Sequence, residues 1–358
     1  MCIAILSTTH PDYRFIILNN RDEFLSRPTA PAEWWTPSPS PPTSPPTSPP
    51  TSTSPPSSSS SPVLGNQQGQ IPILSPRDLA RPAHGTWLGI NRAGRLGVLT
   101  NCLEKSCARA VGGLSRGGVI KRWLVSCPDN DDEEGVGEVK EEGSIQSFVD
   151  HLTDLRDVGG FNLLLGDMRT PNGQLAIISN RSAGTECCPE DEEGQAKIRW
   201  VDHNAIEGET IALSNMTLGD TQQEKWKKMV LGEELTSSAI TSSIGAAEDE
   251  DALINRLFGV LCTDTLPRGA GGLEEDAEKY LGVLRESIYI PAIGKPAPHH
   301  EKKEGEVLNP SYMEGLYGTQ TQTVMLIRHD GRVRLVARTL YDESGTAGRG
   351  SFVSLWAD

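Results

Sequence analysis

The 358-residue sequence predicts an α+β fold, a four-layer αββα sandwich of two antiparallel sheets covered on each outside by helices. Two observations predict it. Strand-like runs come in adjacent pairs joined by tight turns. Helical runs follow one another instead of alternating with single strands, which disfavours a parallel βαβ sheet.

The elements are justified in chain order. Cys2–Ser7 and Tyr13–Asn19 are short, β-branched or aromatic runs around the turn His10-Pro11-Asp12, and they read as an N-terminal hairpin. Gly85–Asn91 and Leu96–Asn101 form a second hairpin turned at Arg92-Ala93-Gly94. Val119–Val125 and Ser144–Leu155 carry apolar residues at helical spacing. Strands return at Phe161–Gly166, Gln174–Ser179 and Thr210–Ser214. Helices follow at Gln222–Leu231 and Ala252–Leu261. The hairpin Thr321–Arg328 and Val333–Thr339 turns at His329-Asp330-Gly331.

Composition then sets the domain organisation. Hydrophobic residues make up 36%, below the usual share of about 45–50%. The deficit is local, because every residue from Thr36 to Pro62 is Pro, Ser or Thr. Such a block buries too little apolar surface to offset its ordering entropy, so 36–62 is expected to be a disordered insertion. The stretches 129–143, 186–195, 235–250 and 296–305 read as flexible loop insertions. What remains of 1–358 is one domain.

Charge and cysteine content exclude several function classes. The net charge is −15, and no basic stripe is visible. Nucleic acid is excluded as a partner, as is electrostatic docking on an anionic leaflet. No apolar run reaches the roughly 18 residues of a membrane span. The start lacks the basic n-region of a signal peptide. An uncleaved start with seven cysteines suggests a reducing, cytoplasmic compartment with free thiols. There is no CxxC pair and no zinc-ligand spacing, so neither a metal nor a cofactor is expected. The pairs Cys127-Pro128 and Cys188-Pro189 abut acidic loops and read as turns, not as haem-ligating motifs.

Cys2 is the sharpest chemical feature. When Met1 is removed, one residue carries both a thiol and a free α-amine. Their reference pKa values are about 8.5 and 7.7–8.0, so the amine can take the thiol proton. An attacking thiolate needs donors where an oxyanion forms, and Asn101 and Asn215 each end an apolar strand. Asp22 follows the hairpin partner of the Cys2 strand and can accept from an α-ammonium. Arg21 supplies positive charge for a carboxylate or thiolate. Taken singly, Cys2 reads as a small buried hydrophobe, and the Asn and Asp residues as local backbone caps.

Met1-Cys2, then Asn20-Arg21-Asp22-Glu23-Phe24 and Arg27-Pro28, resemble the NRDE family, also called the transport and Golgi organisation protein 2 family. Gly85-Thr86-Trp87-Leu88-Gly89-Ile90, Leu99-Thr100-Asn101, Gly160-Phe161-Asn162-Leu163, Leu213-Ser214-Asn215 and Gly318-Thr319 continue the likeness to about Val353. That family is similar in turn to the N-terminal nucleophile (Ntn) hydrolases, such as bile-salt and penicillin V amidases. The resemblance implies an Ntn-like fold, with the nucleophile on Cys2 and its charge partner on Asp22. It places the oxyanion and substrate amides on Asn101 and Asn215, and substrate contacts on Arg21 and Asn20. Two positions depart from the pattern: Asn19 stands where those hydrolases have Arg, and Gln320 stands where NRDE proteins often have Arg.

The function implied is Golgi organisation and secretory protein transport, with a pocket for a small-molecule, lipid-like, acyl or haem ligand. The location implied is cytoplasmic, peripheral to the Golgi or mitochondria. The alternative is an N-terminal-cysteine amidohydrolase or acyltransferase acting on a linear amide.

Overall fold

The computed structural model describes residues 1–37, 71–104, 112–126, 144–152, 155–169, 173–181, 197–201, 208–216, 224–267, 282–295, 315–341 and 352–357. Most of the 36–62 block, and the insertions 129–143, 186–195 and 296–305, lie outside the described residues, as do Cys127-Pro128 and Cys188-Pro189.

Two antiparallel sheets build the molecule. The first has six strands: β1 (Ile3–Ser7), β2 (Tyr13–Phe24), β10 (Thr210–Leu213), β11 (Tyr317–Arg328), β12 (Val333–Thr339) and β13 (Phe352–Ala357), in the order β10-β1-β2-β11-β12-β13. The second has seven strands in sequence order: β3 (Thr29–Trp35), β4 (Ile73–Asp78), β5 (Leu88–Asn91), β6 (Arg95–Asn101), β7 (Phe161–Asp167), β8 (Gln174–Ser179) and β9 (Lys197–Val201). Side-chain alternation sorts the strands of the first sheet into two faces. Ala4, Leu6, Phe15, Ile17, Met325 and Ile327 join the apolar cluster shared with the second sheet. Ile3, Ile5, Ile16, Leu18, Val324 and Leu326 face outward into a second cluster.

Helices cover both outer faces. α1 (Arg116–Val125) and α2 (Ile145–Asp150) lie over the second sheet. There the Trp123 indole donates to the Leu96 carbonyl at 2.9 Å, and the Asn91 amide donates to the Leu124 carbonyl at 2.8 Å. α3 (Lys227–Gly245) and α4 (Glu250–Leu261) cover the first sheet, with Ile240, Ile254, Leu257 and Leu261 in its outer cluster. The layers are therefore αββα, as the strand pairing predicts.

Three expectations are corrected. The stretch 235–250, expected as a loop, is helix through Gly245, with α4 starting at Glu250. Its Ser, Thr and Gly content is weak for a helix. However, Gly232, Thr236, Ile240 and Ser243 form a buried stripe at helical spacing, and the small residues let α3 lie close on β1. A Cβ at Gly232 would meet Ile5 Cδ1 at 2.8 Å. Tertiary packing thus overrides propensity. The helix expected over Ser144–Leu155 is shorter, ending at Asp150. β2 runs on past Asn19 to Phe24, because β11 pairs along its whole length.

β3 and β4 were hidden by Pro31 and Pro76. Pro31 stands on the edge strand beside a register shift between Ala30 and Glu33. Pro76 lies beyond the pairing of β4 with β5, which covers only Ile73 and Leu74, so its missing N–H costs no bond on that side.

One close approach fixes the start of α1 against the β4–β5 connection. A Cβ on Gly85 would lie 2.3 Å from the Gly117 carbonyl carbon, which is backbone and cannot swing aside. Gly85→Ala should therefore destabilise the fold by about 1–3 kcal/mol. Gly245, with nothing within 4 Å of its Cβ position, should accept Ala and gain up to about 1 kcal/mol. Urea denaturation of the two variants checks this, and equal midpoints would contradict it.

Candidate functional site

The strand register brings the predicted residues to one end of the first sheet. Ile3 pairs with Asn20, and Ala4 with Asn19. One residue further out, Cys2 stands beside Arg21, and Met1 beside Asp22. On the other side Ala4 pairs with Leu213, which sets Cys2 level with Asn215. The same alternation turns Cys2 to the face of Ala4 and Leu6, between the sheets. A cavity of about 290 Å³ opens there, and Cys2, Arg21, Asp22, Asn101, Asn215 and Trp87 are among its lining residues.

Hydrogen bonds lock the end of β10 across the two sheets. The Ser214 carbonyl accepts from Thr100 Oγ1 at 3.0 Å and from Asn162 Nδ2 at 3.1 Å. The Asn215 carbonyl accepts from the Leu103 N–H at 2.8 Å. Ser214 Oγ donates to the Cys2 carbonyl at 2.7 Å. Asn101 and Asn215 are thereby carried to the cavity by strands of different sheets. Asn215 Oδ1 is buried without a hydrogen-bond partner, and the Asn101 amide makes no side-chain hydrogen bond among the described residues. Both side chains retain hydrogen-bonding capacity for something in the cavity.

Asp22 is fully buried. Its Oδ1 accepts from Thr319 Oγ1 at 2.7 Å. Its Oδ2 has no hydrogen bond but lies 3.4 Å from the Met1 ammonium. That ammonium also donates to the Tyr317 hydroxyl. The Cys2 thiol points to the Asp22 backbone carbonyl at 3.7 Å. Burial pushes the thiol above its ordinary value, against the lowering effect of the nearby chain-terminal ammonium. Burial, with Asp22 adding to it, also pushes the Tyr317 phenol well up.

Arg21 is held by a carboxamide. Its guanidinium donates to Gln320 Oε1 and stacks 4.4 Å from the Trp87 ring centre. Gln320 in turn donates to the Leu25 and Arg27 carbonyls at 3.3 and 3.0 Å. The two departures in the sequence are thus connected to structure. Asn19 donates to the Ile3 carbonyl at 3.0 Å, and Gln320 orients Arg21, which shares the face of Asn19. Arg116, from the first turn of α1, lines the same cavity. Burial lowers its pKa, and Glu23 opposes that. Among the described residues neither Arg21 nor Arg116 has a carboxylate within 4 Å, whereas Arg27 pairs with Asp78 at 2.7 Å.

Asn20, expected at the substrate, is turned the other way. Alternation puts it on the helix side, where its amide donates to the Leu261 and Ile288 carbonyls at 2.9 and 2.8 Å. It satisfies the open C-terminal end of α4 and does not line the cavity.

Sequence reasoning missed Tyr317 and Lys228. Lys228 is fully buried on α3, and its Nζ donates to the Met1 carbonyl and, at 3.4 Å, to the Cys2 carbonyl. Burial lowers its pKa, while Asp22 and Cys2 oppose the shift. The available signal was its place at the head of the stripe Gly232, Thr236, Ile240 at four-residue spacing. Among the described residues no three His, Cys, Asp or Glu side chains are grouped to hold a metal, and no helix is long and apolar enough to cross a membrane.

The raised thiol pKa makes Cys2 a slow nucleophile while Met1 precedes it, since the thiolate is the reactive form. Iodoacetamide alkylation of Cys2 in the Met1-bearing chain should follow a pH profile displaced above that of a free cysteine. Cys102, pushed up to about 12 by burial, should lag further. Alkylation of Cys2 at neutral pH as fast as in the denatured chain would contradict this.

The chain resembles known proteins over most of its length. The family model described as Transport and Golgi organisation 2 matches residues 1–41 and 62–342. An uncharacterised protein of Saccharomyces cerevisiae is 24% identical over 353 residues, covering 95% of this chain and 92% of its own. The human transport and Golgi organization protein 2 homolog is 26% identical over 333 residues, covering 92% of this chain and 88% of its own. Among solved structures, the C2A mutant of a conjugated bile acid hydrolase from Clostridium perfringens aligns at a TM-score of 0.42 and 8% identity, covering 99% of this chain and 92% of that one. The family model spans both the strand carrying Cys2 and the segment carrying Asp22, Asn101 and Asn215, and the chain belongs to the Transport and Golgi organisation 2 family.

Proposed function

We propose that this chain serves Golgi organisation and secretory-pathway transport through a pocket that binds a small acyl or lipid-like molecule with an anionic end. The names of its mammalian relatives supply the cellular setting. The carrying observation is the cavity itself. It combines an apolar wall of Trp87, Leu99 and Leu103 with two guanidiniums, Arg21 and Arg116, that have no carboxylate within 4 Å among the described residues, although Asp22, Glu23, Asp78 and Glu104 also line the cavity. A site of this make-up favours an apolar body carrying a carboxylate or phosphate, because Arg forms charge-assisted bonds with both. Haem, with its propionates, fits the same description by charge. The reading places the chain in the cytoplasm, peripheral to the organelles it serves.

A second reading is favoured by one specific arrangement: Cys2, Asp22, Asn101 and Asn215 share the cavity. With Cys2 as the first residue, its α-amine takes the thiol proton and the sulfur attacks the carbonyl of a linear amide. The carbonyl oxygen becomes an oxyanion, which the Asn101 and Asn215 amides are placed to receive. Collapse expels the amine with that proton and leaves a thioester. Water hydrolyses the thioester to the acid, or an acceptor amine takes the acyl group. Asp22, which pairs with the Met1 ammonium at 3.4 Å before that release, supplies negative charge beside the new amine.

Single substitutions separate the two readings. In an enzyme, Asn101→Ala should lower turnover by about 10²–10³ while substrate affinity changes little. In a binding protein, Cys2→Ala should rescue a secretion defect in cells lacking the chain as fully as wild type, and Arg21→Ala with Arg116→Ala should not. Rescue by the double arginine variant would sink the anion-pocket reading. Failure of a folded, abundant Cys2→Ala chain would move the assignment to catalysis.

A further inference from the structure

Met1 is held as a ligand would be held. Its ammonium meets the Tyr317 hydroxyl and, at 3.4 Å, the buried Asp22 carboxylate. Its carbonyl accepts from the buried Lys228 ammonium. Its side chain, with 10% of its surface exposed, packs where two apolar clusters meet, one holding Trp226 and Met229 and the other Leu284 and Ile290. Every functional group of an α-amino acid thus has its own partner. Among the described residues Asp22 Oδ2 has no hydrogen-bond donor, and the hydrogen bonds of Lys228 Nζ go to the carbonyls of Met1 and Cys2, with the Trp226 ring centre 5.9 Å away.

Hydrolysis of the Met1–Cys2 bond consumes one water and leaves a carboxylate on methionine and an ammonium on Cys2. It turns the seat of Met1 into a site lined by a buried carboxylate, a buried ammonium and an apolar wall. We propose that this seat is a binding site for a free apolar α-amino acid of about the size of methionine, at the Met1 end of the Cys2 cavity, whose lining includes Met1, Asp22 and Tyr317. It rests on the same release of Cys2 that the nucleophile reading requires. The ligand's ammonium pairs with Asp22 and Tyr317, its carboxylate with Lys228, and its side chain fills the place of Met1.

Two features narrow the class. The chain that continues from the Met1 carbonyl is Cys2 itself, so a peptide with a free N-terminus would collide with it where a free carboxylate does not. A second cavity of about 530 Å³ is lined by Met1, Leu103, Trp226 and Arg285, and Cys2 is not among its lining residues. It gives the ligand a way in that does not pass through the acyl pocket. Met1 and Leu103 line both cavities, so an amino acid seated there closes one off from the other.

The test uses the full chain behind a cleavable leader, cut to begin either at Met1 or at Cys2. Isothermal calorimetry with L-methionine should show one saturable site on the Cys2-first chain and none on the Met1-first chain, whose own residue fills the seat. Methioninol, which lacks the carboxylate, and N-acetylmethionine, which lacks the ammonium, should each bind at least tenfold more weakly to the unmodified Cys2-first chain. A methionyl dipeptide should not bind. Lys228→Met should weaken methionine binding by a similar factor. Absence of binding to the Cys2-first chain, or equal binding to both chains, overturns the proposal. Cys2→Ala, cut to begin at that residue, separates this from the nucleophile reading: it should bind methionine while showing no turnover.

Discussion

A buried carboxylate needs a cation, and Asp22 has its cation in the chain's own first amine. That pairing sets the geometry of the whole site. Oδ1 is satisfied by Thr319 of β11, while Oδ2 is left to the ammonium at 3.4 Å. Removing a buried charge's partner costs several kcal/mol, whatever the net worth of the pair. The start of the chain is thereby tied between β2 and β11, and Cys2, one residue on, has its thiol delivered between the sheets. Asp22 also follows directly from Arg21, so the carboxylate that holds the amine and the guanidinium that faces the cavity come from consecutive residues of one strand.

Face alternation divides the remaining chemistry. On the inner face of β2 and β1 stand Arg21 and Cys2, in contact with the cavity. On the outer face Asn20 serves α4, and Lys228 of α3 reaches back to the first two carbonyls. Lys228 on the outer side thus holds the chain's start, while Arg21 and Cys2 on the inner side line the cavity. Asn215 Oδ1, beside the cavity, is one of several buried polar atoms without a hydrogen-bond partner.

Much of this was legible in the sequence because it depends on order along strands. Cys2 at the start of one hairpin strand and Asp22 beyond the end of its partner are brought together by antiparallel pairing, whatever the rest of the fold does. The four layers followed from paired strands and grouped helices. Less legible was anything decided by which side of an element faces in. Asn20 lies beside Arg21 in sequence but on the opposite face. Lys228 sits in a Lys-Lys pair that reads as surface, and only the small-residue stripe after it shows that this side of α3 is buried. The run after Thr236 is poor in helix formers and becomes helix because Ile240 and Ser243 continue the buried stripe over the first sheet. β3 and β4 carry prolines that a fully paired strand would not tolerate: β3 is the edge strand, and Pro76 of β4 lies beyond its short pairing with β5.

The account turns on whether Cys2 becomes the first residue of the working protein. Intact mass spectrometry of the denatured chain, purified from its native source, reads this directly. The account predicts a mass lower than that of the full sequence by one methionine residue, with the N-terminal peptide beginning at Cys2. A homogeneous chain that retains Met1, its ammonium still paired with Asp22, would contradict it and leave the cavity as a binding site without a nucleophile.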